Sequence, residues 1–220
     1  MRQLLCLFAC GLAPCLLQAQ SADTDIQRLL DESQAQSNQQ HYDAAIQLAQ
    51  QAIGLSDSRS VKASAAKAYF AIGNAYYNKQ SLAEAVTALK QAETHAMEIG
   101  DANLRGRATT VMGRALRDQG KLEEALGYYD RALDIFRTTA DPRGQARVIR
   151  MMGLIYRLTG DLDRAMSFAQ DSLRIAREAK DAASEQSALY NLGVVETERG
   201  HPGPAHSTSI KLWRYPPKIP

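Results

Sequence analysis

Beyond residue 15 the chain has no cysteine: Cys6, Cys10 and Cys15 are the only three in 220 residues. The remainder can form neither a disulfide nor a thiolate metal site, and an oxidising compartment suits it. Aromatic residues are scarce, at 6%, so alanine has to carry much of any packing. After the N-terminus no apolar stretch of about 20 residues occurs, which leaves no candidate for a membrane-spanning helix. Catalytic signatures are missing as well. There is no G-x-S-x-G, no phosphate-cradling glycine loop and no H-E-x-x-H. The four histidines are His41, His95, His201 and His206. The last two are five apart, but the prolines between them keep them off a common helical face, and no acid or cysteine is near. The chain is therefore expected to hold no metal and no cofactor, and not to be an enzyme.

What the chain has is a period. Gly73, Gly113, Gly153 and Gly193 lie forty residues apart, and so do Ala45, Ala85, Ala125, Ala165 and Ala205. A fixed spacing of this size marks a stack of similar units. Within it, apolar residues recur at three-and-four spacing, the stripe of a helix. Leu122, Ala125, Leu126, Tyr129, Ala132, Leu133 and Phe136 form one such stripe. Leu82, Ala85, Val86, Leu89, Ala92 and Ala96 form another, and Leu162, Ala165, Met166, Ala169 and Leu173 a third. Glycine in mid-helix costs about 1 kcal/mol against alanine. Its recurrence at 73, 113 and 153 predicts a close approach of the paired helix, at the level of Ala85, Ala125 and Ala165. Turns are predicted at Gln119-Gly120-Lys121 and Thr159-Gly160-Asp161. Asp101, Asp141 and Asp181 read as N-caps, with Pro142 suited to a first helical position.

In register, one repeat reads Tyr69-x-x-Ile72-Gly73-x-x-Tyr76, then Ala85, Leu89 and Ala92. The next gives Met112-Gly113, Ala125, Tyr129 and Ala132, and the third Met152-Gly153, Tyr156 and Ala165. These residues resemble the tetratricopeptide repeat over roughly residues 26–200, in a variety longer than the usual period of about 34. The departures are Thr109 and Ile149 for the first aromatic, Ser33 for the first glycine, and Ala169 where a bulky residue is expected. The resemblance implies an all-α fold, a right-handed α-solenoid of antiparallel helix pairs. It divides the chain into repeats 26–65, 66–105, 106–145 and 146–185 with a partial repeat 186–200, inside a solenoid running from 22 to 200.

The two ends differ from this pattern. Arg2, an apolar run from Leu4 to Leu17 and the small residues around Ala19 make residues 1–21 a signal peptide, with cleavage near Ala19 to Ala22. Export is expected, to the periplasm if the source is bacterial. A lipoprotein form through Cys15 is a minor alternative, because Pro14 fits that signal poorly. Residues 201–220 hold five of the seven prolines and the only tryptophan, Trp213, and read as an irregular tail. The second helix of the fifth repeat is not restored there, so Leu189, Leu192 and Val195 are expected to stay partly uncovered. A chain cut short or shifted in frame near residue 200 gives the same picture.

Charge is nearly balanced, with 26 basic against 24 acidic residues, but it is segregated. In the tetratricopeptide fold the first helix of each repeat lines the concave face. Register then aligns Lys67, Arg107, Arg147 and Ser187; Phe70, Thr110, Arg150 and Tyr190; Asn74, Arg114, Leu154 and Val194; and Tyr77, Arg117, Arg157 and Thr197. Six arginines fall in the two middle repeats, with Asp118 as the one nearby acid. Arginine grips carboxylates in two places and stacks on flat groups such as Phe70, Tyr77 and Tyr190. Asn74 and Asn191 match family positions that hold peptide carboxylates. The expectation is a peptide- or protein-binding scaffold whose basic groove takes acidic, extended segments. Matching places about 10 Å apart would meet acids some three residues apart. The alternative is the exported sensory segment of a longer signalling protein of cyclase or kinase type. Near-neutral charge and thin aromatic interleaving count against nucleic acid. Self-association is left open.

Overall fold

In the computed structural model, residues 12–58 and 61–200 are described, with side chains from residue 24 onward; residues 1–11 and the tail 201–220 lie outside them. Among the described residues all regular structure is helical. The helices are α1 (Leu12–Asn38), α2 (Tyr42–Ser58), α3 (Lys62–Asn78), α4 (Leu82–Glu98), α5 (Ala102–Asp118), α6 (Leu122–Thr138), α7 (Pro142–Leu158), α8 (Leu162–Glu178) and α9 (Ala182–Glu198). From α2 onward each has 17 residues, so the architecture repeats every twenty residues and the pattern of helix pairs every forty. The fold is all-α, built of helix pairs as the resemblance implies. The chain divides into two compact units, Met1–Leu104 and Arg105–Pro220. Helix α1 continues unbroken through the junction expected near Ala19.

The second helices begin at Leu82, Leu122 and Leu162, where the apolar stripes start. The first helices begin at 62, 102, 142 and 182, four residues before the repeat boundaries at 66, 106, 146 and 186. Local chemistry sets these starts. Asp141 accepts the Gly144 N–H at 3.0 Å, Asp101 accepts the Leu104 N–H at 2.8 Å, and Pro142 follows Asp141 at the first helical position. Asp181 stands at the N-cap of α9, where its carboxylate accepts the Ser184 hydroxyl at 2.7 Å. Asp161, read only as part of a turn, also caps a helix by accepting the Arg164 N–H at 3.0 Å.

Apart from α2, whose end meets residues outside those described, the helices end in the same way. Residues 40, 80, 100, 120, 140, 160, 180 and 200 all have positive φ. After α6, Asp141 N–H reaches back to the Phe136 carbonyl at 2.9 Å and Ala140 N–H to that of Arg137 at 3.1 Å, a Schellman closure. Three residues then suffice to reverse the chain, so within each unit successive helices pack antiparallel.

In the first unit, α3 packs on α2 and α4, and α1 on α2 and α3. Gly73 is the seat of Leu89, which is completely buried: a Cβ on this glycine would lie 2.5 Å from Leu89 Cγ. In the second unit Gly113 seats Tyr129 in the same way, at 2.6 Å. The close approach is as expected, but its level is one turn further along than Ala85 and Ala125. At Gly153 Ala165 is among the nearest neighbours, through its carbonyl at 3.5 Å, with Phe168 Cβ nearer at 2.9 Å. Ser33, in place of glycine, uses its buried hydroxyl to donate to the Ala45 carbonyl at 2.7 Å. Phe136 is buried between Gly106 of α5 and Gly144 of α7, a pairing the repeat pattern does not signal. Leu126, placed in the buried stripe, is only partly buried, while Leu133 and Phe136 are core. Val195 is 2% exposed in a cluster with Ala165 and Met166, so it is not left uncovered. Leu189 and Leu192 are partly buried.

Candidate functional site

The two units place their candidate residues differently. In the first, Lys67 is exposed and Asn74 is half-buried, its amide donating to the Phe70 carbonyl at 3.0 Å. Phe70 packs against Ala66, Ala96 and Leu104 rather than standing open. Tyr77 is 7% exposed, so it offers no flat surface to a ligand. The register that aligned it with Arg117 and Arg157 explains why. Those side chains are themselves only 13% and 25% exposed, so these three members of the row lie on a buried flank at the end of their helices, while the fourth, Thr197 of α9, is exposed.

In the second unit both flank arginines are neutralised. Arg117 donates through Nε and Nη2 to Asp118, at 2.8 and 2.6 Å, as the sequence suggested, and Nη1 approaches Met151 Sδ at 3.6 Å. Arg157 donates to Glu198 at 2.6 Å. That acid stands forty-one residues from its partner, and only the packing of α9 against α7 brings the two together.

The remaining four arginines divide by burial. Arg107 and Arg147 are exposed, and Arg114 and Arg150 are half-buried. Arg150 is the centre of the group. Its burial, and then the charges of Arg114, Arg147 and Arg117, hold its guanidinium below the usual arginine range. Among the described residues no acid pairs with Arg147 or Arg150. Like charges confined beside partly desolvated surface repel, and an incoming carboxylate relieves that repulsion while gaining bidentate hydrogen bonds. Arg150, Arg157 and Asn191 also line one small hollow, of about 10 Å³, with Gly153, Ala165, Ala169 and Val195 around it. That volume is near the minimum for one water molecule, so the hollow is a notch and not a ligand pocket. Asn191 donates to the Ser187 carbonyl at 3.0 Å, and Tyr190 beside it is 47% exposed. Of the twelve candidates, the structure thus draws Arg114, Arg117, Arg147 and Arg150 into one field and adds Arg157 and Asn191 at its edge.

Among the described residues, no cluster of His, Asp, Glu or Cys could hold a metal ion, and no helix is long and apolar enough to cross a membrane.

The family described as MalT-like TPR region matches residues 32–208. No curated protein matches. Several solved structures share the fold. The Rap conjugation gene regulator of the plasmid pLS20, in complex with the Phr* peptide, is 19% identical, with 90% of this chain and 55% of that one covered and a TM-score of 0.70. Aspartyl phosphate phosphatase F from Bacillus subtilis is 13% identical, with 86% and 50% covered and a TM-score of 0.77. BtubC (BKLC) from P. vanneervenii is 17% identical, with 91% and 92% covered and a TM-score of 0.70. At such identities the likeness is one of fold. This chain spans about half the length of the first two.

Proposed function

Because the chain belongs to the MalT-like TPR family, we propose that it is a non-enzymatic scaffold for peptide or protein segments, and that the arginines of the second unit are its contact surface. The observation that carries this is Arg150, half-buried among Arg114, Arg147 and Arg117 with no acid paired to it among the described residues. A similar fold is seen with a peptide bound, in the Rap regulator with Phr*. The ligand is an extended segment with acids about three residues apart, because α5 and α7 present their arginines from neighbouring helix pairs roughly 10 Å apart. Lys67 and Asn74 of the first unit are not needed for it.

Binding is best followed by fluorescence polarisation of a labelled peptide with glutamate at every third position. Exposed contacts contribute about 1 kcal/mol or less each, so the affinity should be modest and should fall with salt. Arg114→Glu combined with Arg150→Glu should weaken it by about tenfold or more. An unchanged affinity and salt slope in the double variant would mean that the arginines are only a solvated face.

The proposal includes export, on the strength of residues 1–21 alone: one positive charge, a short apolar run and small residues. A fusion of residues 1–25 to a reporter should be secreted and cleaved. A fusion retained whole in the cytoplasm refutes export and leaves the binding proposal standing.

A further inference from the structure

A groove of about 600 Å³ opens in the first unit between α2 and α4, away from every candidate residue discussed so far. Ile53 of α2, Tyr69, Ile72 and Tyr76 of α3 and Ala88 of α4 make it apolar, and Glu84 stands on its rim. Tyr69 is held by stacking on His95, with ring centroids 5.1 Å apart. Glu84 is exposed and, among the described residues, makes no ion pair; Lys79 lies within electrostatic reach but bonds Asp43.

Eighty residues on, the second unit shows what such a groove holds. There the place of Ala88 is taken by Phe168, whose ring stacks on Tyr156 with centroids 5.2 Å apart and planes 8° from parallel. Phe168 also packs against the cluster that contains Leu133, Ile149 and Met152, the residues in register with Ile53, Tyr69 and Ile72. The place of Glu84 is taken by Arg164, whose guanidinium lies 4.7 Å from the centre of the Tyr156 ring. One helix thus delivers an aromatic ring and a cation, four residues apart, onto one tyrosine. In the first unit the tyrosine is present as Tyr76, the ring is missing and the cation is replaced by an acid.

We propose that the α2–α4 groove binds an aromatic side chain presented by a partner protein next to a lysine or arginine. The ring stacks on Tyr76 as Phe168 does on Tyr156, with centroids in the range where offset stacking is favourable. The neighbouring cation meets Glu84, which supplies the charge complementarity that Arg164 would oppose. The site is independent of the arginines of the second unit, so failure of either proposal leaves the other intact.

The test uses the full chain labelled with 13C at isoleucine methyls, and three probes: acetyl-Phe-Arg-amide, acetyl-Phe-Glu-amide and acetyl-Leu-Arg-amide. Acetyl-Phe-Arg-amide should shift the Ile53 and Ile72 methyls and bind about 2- to 10-fold tighter than either of the others. Glu84→Gln should remove the preference for Phe-Arg over Phe-Glu. Ala88→Phe should supply the ring in cis, abolish the shifts and raise the Tm. Should that variant not fold, Tyr76→Leu, which removes the stacking face and leaves the groove open, should bring Phe-Arg down to the level of Leu-Arg. Equal binding of all three probes overturns the proposal, as does undiminished binding to both Ala88→Phe and Tyr76→Leu. So do methyl shifts that follow protein concentration without any probe, since a second copy would then be the occupant.

Discussion

In α4 the bulky residue is Leu89 and the small one before it is Ala88; in α8 the order is reversed, Phe168 and then Ala169. The two helices stand eighty residues apart at equivalent places in their units. One residue along a helix is a rotation of about 100°, so the same bulk points in a different direction. Leu89 faces inward onto Gly73 and leaves open the side facing α2, where the groove of about 600 Å³ lies. Phe168 closes that side against Tyr156, and Ala169 instead leaves the small notch beneath Arg150, Arg157 and Asn191. The apparent defect at Ala169, judged against the repeat, is a displacement by one residue. A repeat array can keep every apolar stripe and still exchange which of its faces is hollow.

The largest expected effect comes from removing the bulk without replacing it. Leu89→Ala should destabilise by about 2–5 kcal/mol, as for buried leucine generally. Adding Ala88→Phe to it recreates the arrangement of α8 and should restore more than about 1 kcal/mol of that loss, because the ring fills the groove between α2 and α4. Urea melts of the two single variants and the double variant measure this. A double variant no more stable than Leu89→Ala alone would mean that the two helices do not share the packing logic argued for them.

Gly73→Ala should cost about 1–3 kcal/mol by overpacking, since its Cβ would meet Leu89 Cγ at 2.5 Å. In the Leu89→Ala background that penalty should largely vanish. Gly153→Ala should cost less than Gly73→Ala, because its nearest neighbour is Phe168 Cβ at 2.9 Å and Ala169 takes little space beyond it. Equal penalties at the two glycines would erase the distinction between the units.

Arg150 and Phe70 occupy one register row, one among arginines and the other in an apolar cluster. Arg150→Leu moves the second unit toward the first. It should leave stability unchanged or raise it by about 1 kcal/mol, because a half-buried cation crowded by like charge is removed. The gain should shrink as salt screens the neighbours. A loss above about 1 kcal/mol would show that Arg150 is held in place by a bond, not crowded, and would undercut its role as a vacant anion site.

Much of this architecture was legible because it is written locally. The starts at Leu82, Leu122 and Leu162, the capping residues Asp101 and Asp141 and the seats at Gly73, Gly113 and Gly153 depend on residues within one helix pair. The buried state of Tyr77 was not legible. Register predicts that residue 77 is equivalent to 117 and 157, but not that these three turn toward a flank, where arginine is retained beside Asp118 or Glu198. The pairing of Arg157 with Glu198 depends on how α9 lies against α7, which no spacing within either helix encodes. The choice between Leu89 and Phe168 as the inward or outward group escaped for the same reason: both fit a three-and-four stripe.

The turns give the finest version of the comparison. In the first unit the positive-φ residue within a helix pair is Gln40 or Gln80, and the one after α4 is Gly100. In the second unit the assignment is exchanged: Gly120, Gly160 and Gly200 follow the first helices, and Ala140 and Lys180 follow the second ones. A side chain in the left-handed region costs roughly 1–2 kcal/mol, and part of that gain is returned when glycine loosens the unfolded chain. Gln80→Gly and Ala140→Gly should therefore each stabilise by about 0.5–1 kcal/mol. The two gains should be additive, since the two turns belong to different units and share no partner. Ala140 is the sharper case. It is exposed, and its N–H and that of Asp141 already close the Schellman turn onto Arg137 and Phe136, so the substitution changes nothing except the strain at one φ of 50°. Thermal or urea denaturation of Ala140→Gly with no gain, or with a loss, would mean that the left-handed turn after α6 is not strained, and that the exchange of glycine between the two units has no energetic consequence.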